Sequence, residues 1–276
     1  AGDFTVTRLA EDEFMIIGGG MSERYHQRFW KEVPLPQGTT FESRTDTMCG
    51  FNVAGPQSRA LLTRLTNADL STESFPFMRS QRINVAGVDV IALRVSFTGD
   101  LGWELHCDQA DQLRLYEALL EAGRAVDAGP VGSRALMSLR VEKGYGSWSR
   151  EYSPEYWPQE VGLDRLIKLD KEFLNKESYL KSKDNAPREM LSLIEVQEVT
   201  NADATGGEPI FLPDGTPVGR VTSGTFGYSV EKSLALGYLK GVAAGTAVDV
   251  MILGKPHRGV VLAEPPFDPK GARLRA

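Results

Sequence analysis

The stretch "RVSFTGDLGWELH", Arg94 to His106, decides the reading of the fold. Val95, Phe97 and Trp103 mark both flanks as β, yet Thr98-Gly99-Asp100-Leu101-Gly102 interrupts the run before it resumes with a carboxylate, Glu104. Two glycines three apart imply a tight turn whose backbone needs a conformation or a closeness that a Cβ would block. The pattern predicts a β-hairpin with Glu104 just beyond the turn. On local pattern alone, an ordinary hairpin carrying a solvated Glu explains it.

Similar alternation recurs on either side. "RINVAG", "VDVIALRVSF" and "WELHC" read as three strands joined by turns, "CGFNVAG" as a fourth, and "DFTVTRL" and "EFMIIG" as a hairpin around Ala10-Glu11-Asp12. Helices alternate with them. "SERYHQRFWKEV" has Ser22 as N-cap, and "GPQSRALLTRL" has an early proline with Leu61, Leu62 and Leu65 at helical spacing. "DQADQLRLYEALLEAGRAVDAG" puts Leu113, Tyr116, Leu119 and Leu120 on one face, and "GSRALMSLRVEKG" stops at Gly144. Two β-β-α units predict an α+β domain rather than a parallel dinucleotide-binding sheet. The Gly18-Gly19-Gly20 run lacks GxGxxG spacing and reads as a flexible turn.

From Pro187 the texture changes. "EMLSLIEVQ", "EPIFLPDGTPVGRVTSG", "SLALGYLK", "AVDVMIL" and "HRGVVLAEP" are short strands punctuated by Gly, Pro and Asp-Gly, the pattern of a small β-barrel. The aromatic, proline-rich and charged segment before it ends in a linker, which predicts one domain over residues 1–168 and another over 186–276.

Composition narrows the function classes. The chain has 276 residues, 41% of them hydrophobic and 25% charged, enough for one large or two smaller packed cores. With 31 Lys and Arg against 37 Asp and Glu the formal charge is −6, so no net field draws nucleic acid or an anionic membrane. No apolar run approaches the roughly 20 residues of a membrane span. Cys49 and Cys107 are too few for a disulfide framework, and with His26, His106 and His257 they make no metal motif; buried thiols in a reducing compartment are expected, and cytoplasm follows. The chain enters at once on a strand pattern without a methionine, which suggests a fragment or the inner part of a longer polypeptide, whose start could hide a transit peptide, although removal of an initiator methionine would produce the same beginning.

The candidate chemical groups are Asp3, Asp100, Glu104, Glu142 and one cation near a helix start, Arg134, read as buried. Asp3 stands at a strand start beside Thr5, where a carboxylate accepts hydrogen bonds from a nitrogen-rich ligand; its plain reading is an exposed acid. Arg134 suits bidentate capture of a carboxylate, and its plain reading is a solvated helical arginine. Glu142 and Lys143 read as decoration of a helix end.

Together the motifs form a pattern. "DFTVTRL", "GPQSRALL", "FPFM", "RVSFTGDLGWELH", "LRVEKGY" and "VTSG" occur in an order that resembles the aminomethyltransferase (glycine-cleavage T-protein) family, and within it the C-terminal region of dimethylglycine and sarcosine dehydrogenases. The resemblance runs from Asp3 to about Pro266. It implies an α+β folate-binding domain, partial at its N-terminus by about a hundred residues, over 1–168, followed by the small β-barrel over 186–276.

The resemblance also implies roles. Asp3 matches the family's catalytic aspartate beside the reactive nitrogens of tetrahydrofolate, and Thr5 a neighbouring polar contact. Glu104 matches the carboxylate that recognises the pterin edge, and Arg134 the arginine that holds the glutamyl carboxylate. Phe97 stands where the family usually has tyrosine, which keeps a ring and drops a hydroxyl; Asp100 stands where it has Glu. No metal is implied. The implied reaction captures the carbon of an N-methylamine that an FAD domain, absent from this chain, has oxidised, giving 5,10-methylene-tetrahydrofolate. The compartment is cytoplasm, or the mitochondrial matrix in a eukaryote. The rival readings are a non-oxidative tetrahydrofolate-dependent methyltransferase and a folate-binding module without turnover.

Overall fold

The computed structural model describes residues 2–199 and 201–276. By its backbone contacts the chain divides into two compact units: Asp3–Leu136 together with Asp268–Ala276, and Met137–Phe267 with the extreme N-terminus. No helix among the described residues is long and apolar enough to cross a membrane.

In the first unit, β1 (Phe4–Arg8) and β2 (Phe14–Gly18) pair antiparallel as the sequence predicts, and α1 (Glu23–Glu32) follows. A four-stranded antiparallel sheet comes next, built from β3 (Met48–Ala54), β4 (Ser80–Val85), β5 (Val88–Leu93) and β6 (Gly102–Asp108) in the order β3-β6-β5-β4. The short α2 (Ser58–Leu62) and the longer α3 (Gln112–Gly123) cover one face of it. Trp103, Leu105, Phe75, Val90 and Leu115 are buried in the core between them. On α3 the buried stripe is Leu115, Leu119 and Gly123, whereas Leu113 is 66% exposed and Tyr116 39%. The sequence reading chose the stripe through Leu113 and Tyr116. Two apolar stripes run along this helix, and Tyr116 goes to the margin, where its ring stacks 6.0 Å from Phe51.

The α4 helix (Ser133–Glu142) spans the junction of the two units, and Gly144 stops it at φ +71° as expected. In the second unit α5 (Lys176–Ser182) precedes a closed barrel. Its strands are β7 (Met190–Val196), β8 (Pro209–Phe211), β9 (Pro217–Gly227), β10 (Lys232–Leu239), β11 (Ala247–Ile252) and β12 (Lys255–Val261), closed in the order β10-β7-β12-β11-β8-β9. Ile194, Ile210, Val248 and Val250 fill it. Gly219 is required at the β9–β10 contact, because a Cβ there would stand 1.9 Å from the Tyr238 carbonyl oxygen. The chain ends in α6 (Ala272–Arg275), which belongs to the first unit.

The second unit also holds a polar network that the sequence did not disclose. Arg140 donates to Glu151 at 2.9 Å, Ser223 and Thr222 each donate to the same carboxylate at 2.6 Å, and Arg140 and Glu151 are both shielded from water. Burial alone would raise the Glu151 pKa, but the Arg140 charge and these donors outweigh it and hold the carboxyl below its ordinary range. Glu142 and Lys143 are likewise buried rather than decorating a helix end, with the Glu142 carboxylate accepting from the Ser229 amide at 3.2 Å.

Candidate functional site

The hairpin predicted at Arg94–His106 exists with a wider loop. The sequence reading carried the strand to Phe97, whereas β5 ends at Leu93 and residues 94–101 form the connection. The Arg94 main chain pairs with the 78–79 segment, the Arg94 amide donating to Arg79 at 2.9 Å and the Met78 amide to Arg94 at 3.0 Å. Its fully buried guanidinium donates to the Phe75 carbonyl at 2.6 Å. The turn comes one residue on, where the Val95 amide donates back to the Leu93 carbonyl at 3.0 Å and the chain leaves the strand. The two glycines answer to the protein itself: Gly99 sits at φ +81°, and a Cβ on Gly102 would come 3.0 Å from the Val53 oxygen.

Along β6 the side chains alternate. Trp103 and Leu105 enter the core, while Glu104 and His106 turn to the opposite face of the sheet. Glu104 lies opposite Asn52 on β3 and Leu93 on β5, which fixes its height on the sheet. Its carboxylate is 3.4 Å from His106 Nε2, and the two side chains keep 21% and 14% of their exposure. Gly50 lies opposite His106, and a Cβ there would stand 2.9 Å from Nδ1, so the missing side chain makes room for the imidazole.

This face opens on a cavity of about 1080 Å³, wide enough for a ligand of drug size. Its wall includes Phe4 and Ile16 of the hairpin, His26 and Trp30 of α1, and Asn52, Glu104 and His106 of the sheet. Several wall carboxylates have local partners: Glu13 with Arg82 at 3.1 Å, Asp89 with Asn84 at 2.9 Å, and Asp108 with the Ala110 amide at 2.9 Å. Glu104 pairs with a histidine and keeps acceptor capacity toward the opening, which suits adjacent N–H donors on a ligand. Gly18, Gly19 and Gly20 also line the cavity.

The other sequence candidates distribute unevenly. Asp3 immediately precedes β1 and adjoins the wall residue Phe4; it stays open to water on one side, yet the surrounding protein desolvates the carboxyl enough to push its pKa up. Thr5 is half-buried opposite Ile17, one residue on from Phe4 and so on the other side of the strand. Phe97 is half-buried in the loop, and Arg134 is exposed in the first turn of α4 rather than buried; neither lines the cavity. The buried arginine of that helix is Arg140. The sequence reading missed His26, Trp30, Asn52 and His106 as wall residues. His106 was discoverable, because period-2 alternation puts it beside Glu104. No group of three or more His, Cys, Asp or Glu is placed to hold a metal among the described residues.

The GCVT N-terminal domain model matches residues 1–171, and the glycine cleavage T-protein C-terminal barrel domain model matches 191–268. The chain belongs to the glycine-cleavage T-protein family. Its α+β part followed by a closed six-stranded barrel is a T-protein fold. The chain is 34% identical over 279 residues to mouse mitochondrial dimethylglycine dehydrogenase and 36% identical over 303 residues to mouse mitochondrial sarcosine dehydrogenase. Each alignment covers 99% of this chain and 32% of the relative, so the chain spans about a third of these curated relatives. The structure of aminomethyltransferase T of the glycine cleavage system from Bartonella henselae superposes with a TM-score of 0.82 at 24% identity, covering 97% of this chain and 72% of that one. That likeness shows the shared fold.

Proposed function

We propose that this chain binds tetrahydrofolate in the cavity under β6 and transfers to it the one-carbon unit of an oxidised N-methylamine. The observation that carries the reading is Glu104. The motif expected to deliver a pterin-recognising carboxylate puts that carboxylate in the wall of a cavity of suitable size. The relatives' names, dimethylglycine and sarcosine dehydrogenase, support a small methylated amine as donor. Their greater length agrees with a flavin-bearing dehydrogenase domain or subunit that supplies the oxidised amine. Their mitochondrial naming supports a matrix location in a eukaryote, with cytoplasm as the bacterial counterpart.

Tetrahydrofolate, when bound, supplies two nitrogens that take up a one-carbon unit at the formaldehyde level. The residues of this chain do the rest. Glu104 accepts from the pterin edge and fixes the ligand's rotation, with His106 holding the carboxylate in place. Asp3 accepts the proton released as the new carbon–nitrogen bonds form and passes it to the departing amine. Its raised pKa makes it a better base than an ordinary aspartate. The apolar wall of Phe4, Ile16 and Trp30 keeps water from the reactive carbon. The resemblance also gives Thr5, Phe97 and Arg134 ligand-contact roles, and none of the three lines the cavity.

The test is capture of a formaldehyde-level donor by tetrahydrofolate in single turnover. The Asp3→Ala variant is expected to lose at least about 100-fold in transfer rate while binding stays within a few-fold. Undiminished transfer would remove Asp3 from the mechanism.

A further inference from the structure

We propose that the C-terminal tail, Asp268–Ala276, is a brace that positions the 94–101 loop and the start of β6, and with them Phe97 and Glu104. The consequence for ligand binding rests on the folate reading; the brace itself does not. The tail grips both ends of the loop. At one end the main-chain oxygen of Ala276 accepts from Arg59 at 2.7 Å and from Arg94. At the other, the Arg273 guanidinium stands 3.6 Å from the Asp100 carboxylate.

The tail is built to present these groups. The Asp268 carboxylate accepts from the Ala272 and Arg273 amides at 2.9 and 3.0 Å and so starts α6. Leu274 is buried, and the Arg275 guanidinium lies 5.6 Å from the Phe77 ring centre. Arg94 is completely buried, and the oxygens of Phe75 and Ala276 are its side-chain acceptors, with Nε left without one. A cation so placed depends on each acceptor it has. The Trp103 ring lies 5.6 Å from both Arg59 and Arg94, and Trp103 directly precedes Glu104. A shift of the tail therefore reaches the candidate carboxylate through one packed residue.

Besides the tail, the loop is held at its ends, where the Arg94 main chain pairs with residues 78–79 and the Leu101 carbonyl accepts from the Gly55 amide at 2.8 Å and from Ser58 Oγ at 3.1 Å. Its inner contacts are short-range hydroxyl bonds: Ser96 Oγ to Thr98 Oγ1 at 2.8 Å, the Thr98 amide to Ser96 Oγ at 3.3 Å, and the Asp100 amide to Thr98 Oγ1 at 3.4 Å. These shape the turn, and the tail adds its Ala276 and Arg273 contacts at the same two ends. The match to the barrel-domain model stops at residue 268, where the tail begins.

The experiment is amide hydrogen exchange on the ligand-free chain, comparing the parent with a chain truncated after Gly271 and with Arg273→Gln. The Arg273 side chain is 55% exposed, so its substitution leaves folding intact even where truncation does not. Exchange at residues 95–101 should accelerate about 10-fold in the truncated chain and a few-fold in Arg273→Gln, with α3 unchanged. Tetrahydrofolate affinity should fall with it by about 10-fold on truncation. Unchanged loop exchange in both variants, or an acceleration shared equally by α3 and the whole sheet, would overturn the brace. Altered loop exchange in a chain whose parent does not bind tetrahydrofolate would uphold the brace and remove the folate reading.

Discussion

Asp3 and Glu104 are the two carboxylates given roles in the proposed function, and their surroundings separate them: Glu104 lines the cavity, whereas Asp3 is exposed and is not among its wall residues. Glu104 is held on a strand, 3.4 Å from His106, whereas Asp3 stands before the first strand with its pKa raised by desolvation. A carboxyl whose pKa is higher folded than unfolded disfavours the folded state once it ionises. The penalty is absent below the ordinary aspartate pKa of 3.8 and sets in as pH rises through the folded value. Asp3→Asn should therefore raise the thermal midpoint at pH 7 and have no such effect at pH 3. A midpoint that falls at pH 7 would mean that Asp3 stabilises the fold and is not held there at a cost for chemistry. Glu104 was legible because a turn with two glycines pointed to it. His26 and Trp30 were not, because their place in the wall depends on how α1 folds back over the hairpin, and no local spacing encodes that.

At the scale of elements, strands were more legible than faces and ends. Punctuation by Gly, Pro and Asp-Gly marked the barrel strands. The β5 strand was overextended because Val95 and Phe97 have strand propensity that the tight turn from Leu93 to Val95 overrides. On α3 two apolar stripes compete, and only the packing against Trp103 and Leu105 decides between them. Leu115→Ala should cost about 2–5 kcal/mol in urea unfolding, and Leu113→Ala less than about 0.5 kcal/mol. Equal losses would mean that the helix is rotated from the position described. Arg140 and Glu151 show what pattern reading does not reach: two charged residues in a helix and a loop look solvated in sequence, and are buried because each supplies the other's counter-charge.

For the whole molecule, the α+β part and the closed barrel follow from strand and helix order, and family membership extends that to a T-protein fold. The compact units defined by backbone contacts are drawn on another basis than the sequence division. One boundary falls inside α4, and the last residues rejoin the first unit, whereas the sequence division at 168 and 186 follows a change of texture. Dimethylglycine and sarcosine dehydrogenases are about three times as long as the aligned region. The folate reading of the cavity is what the rest of the functional account depends on. Calorimetric titration of tetrahydrofolate into the 276-residue chain, with Glu104→Ala beside it, tests it most directly. The account predicts one site in the parent, weakened about 10- to 100-fold by the substitution, since a charged acceptor of two hydrogen bonds is lost. No binding by the parent, or equal affinity in Glu104→Ala, would contradict it.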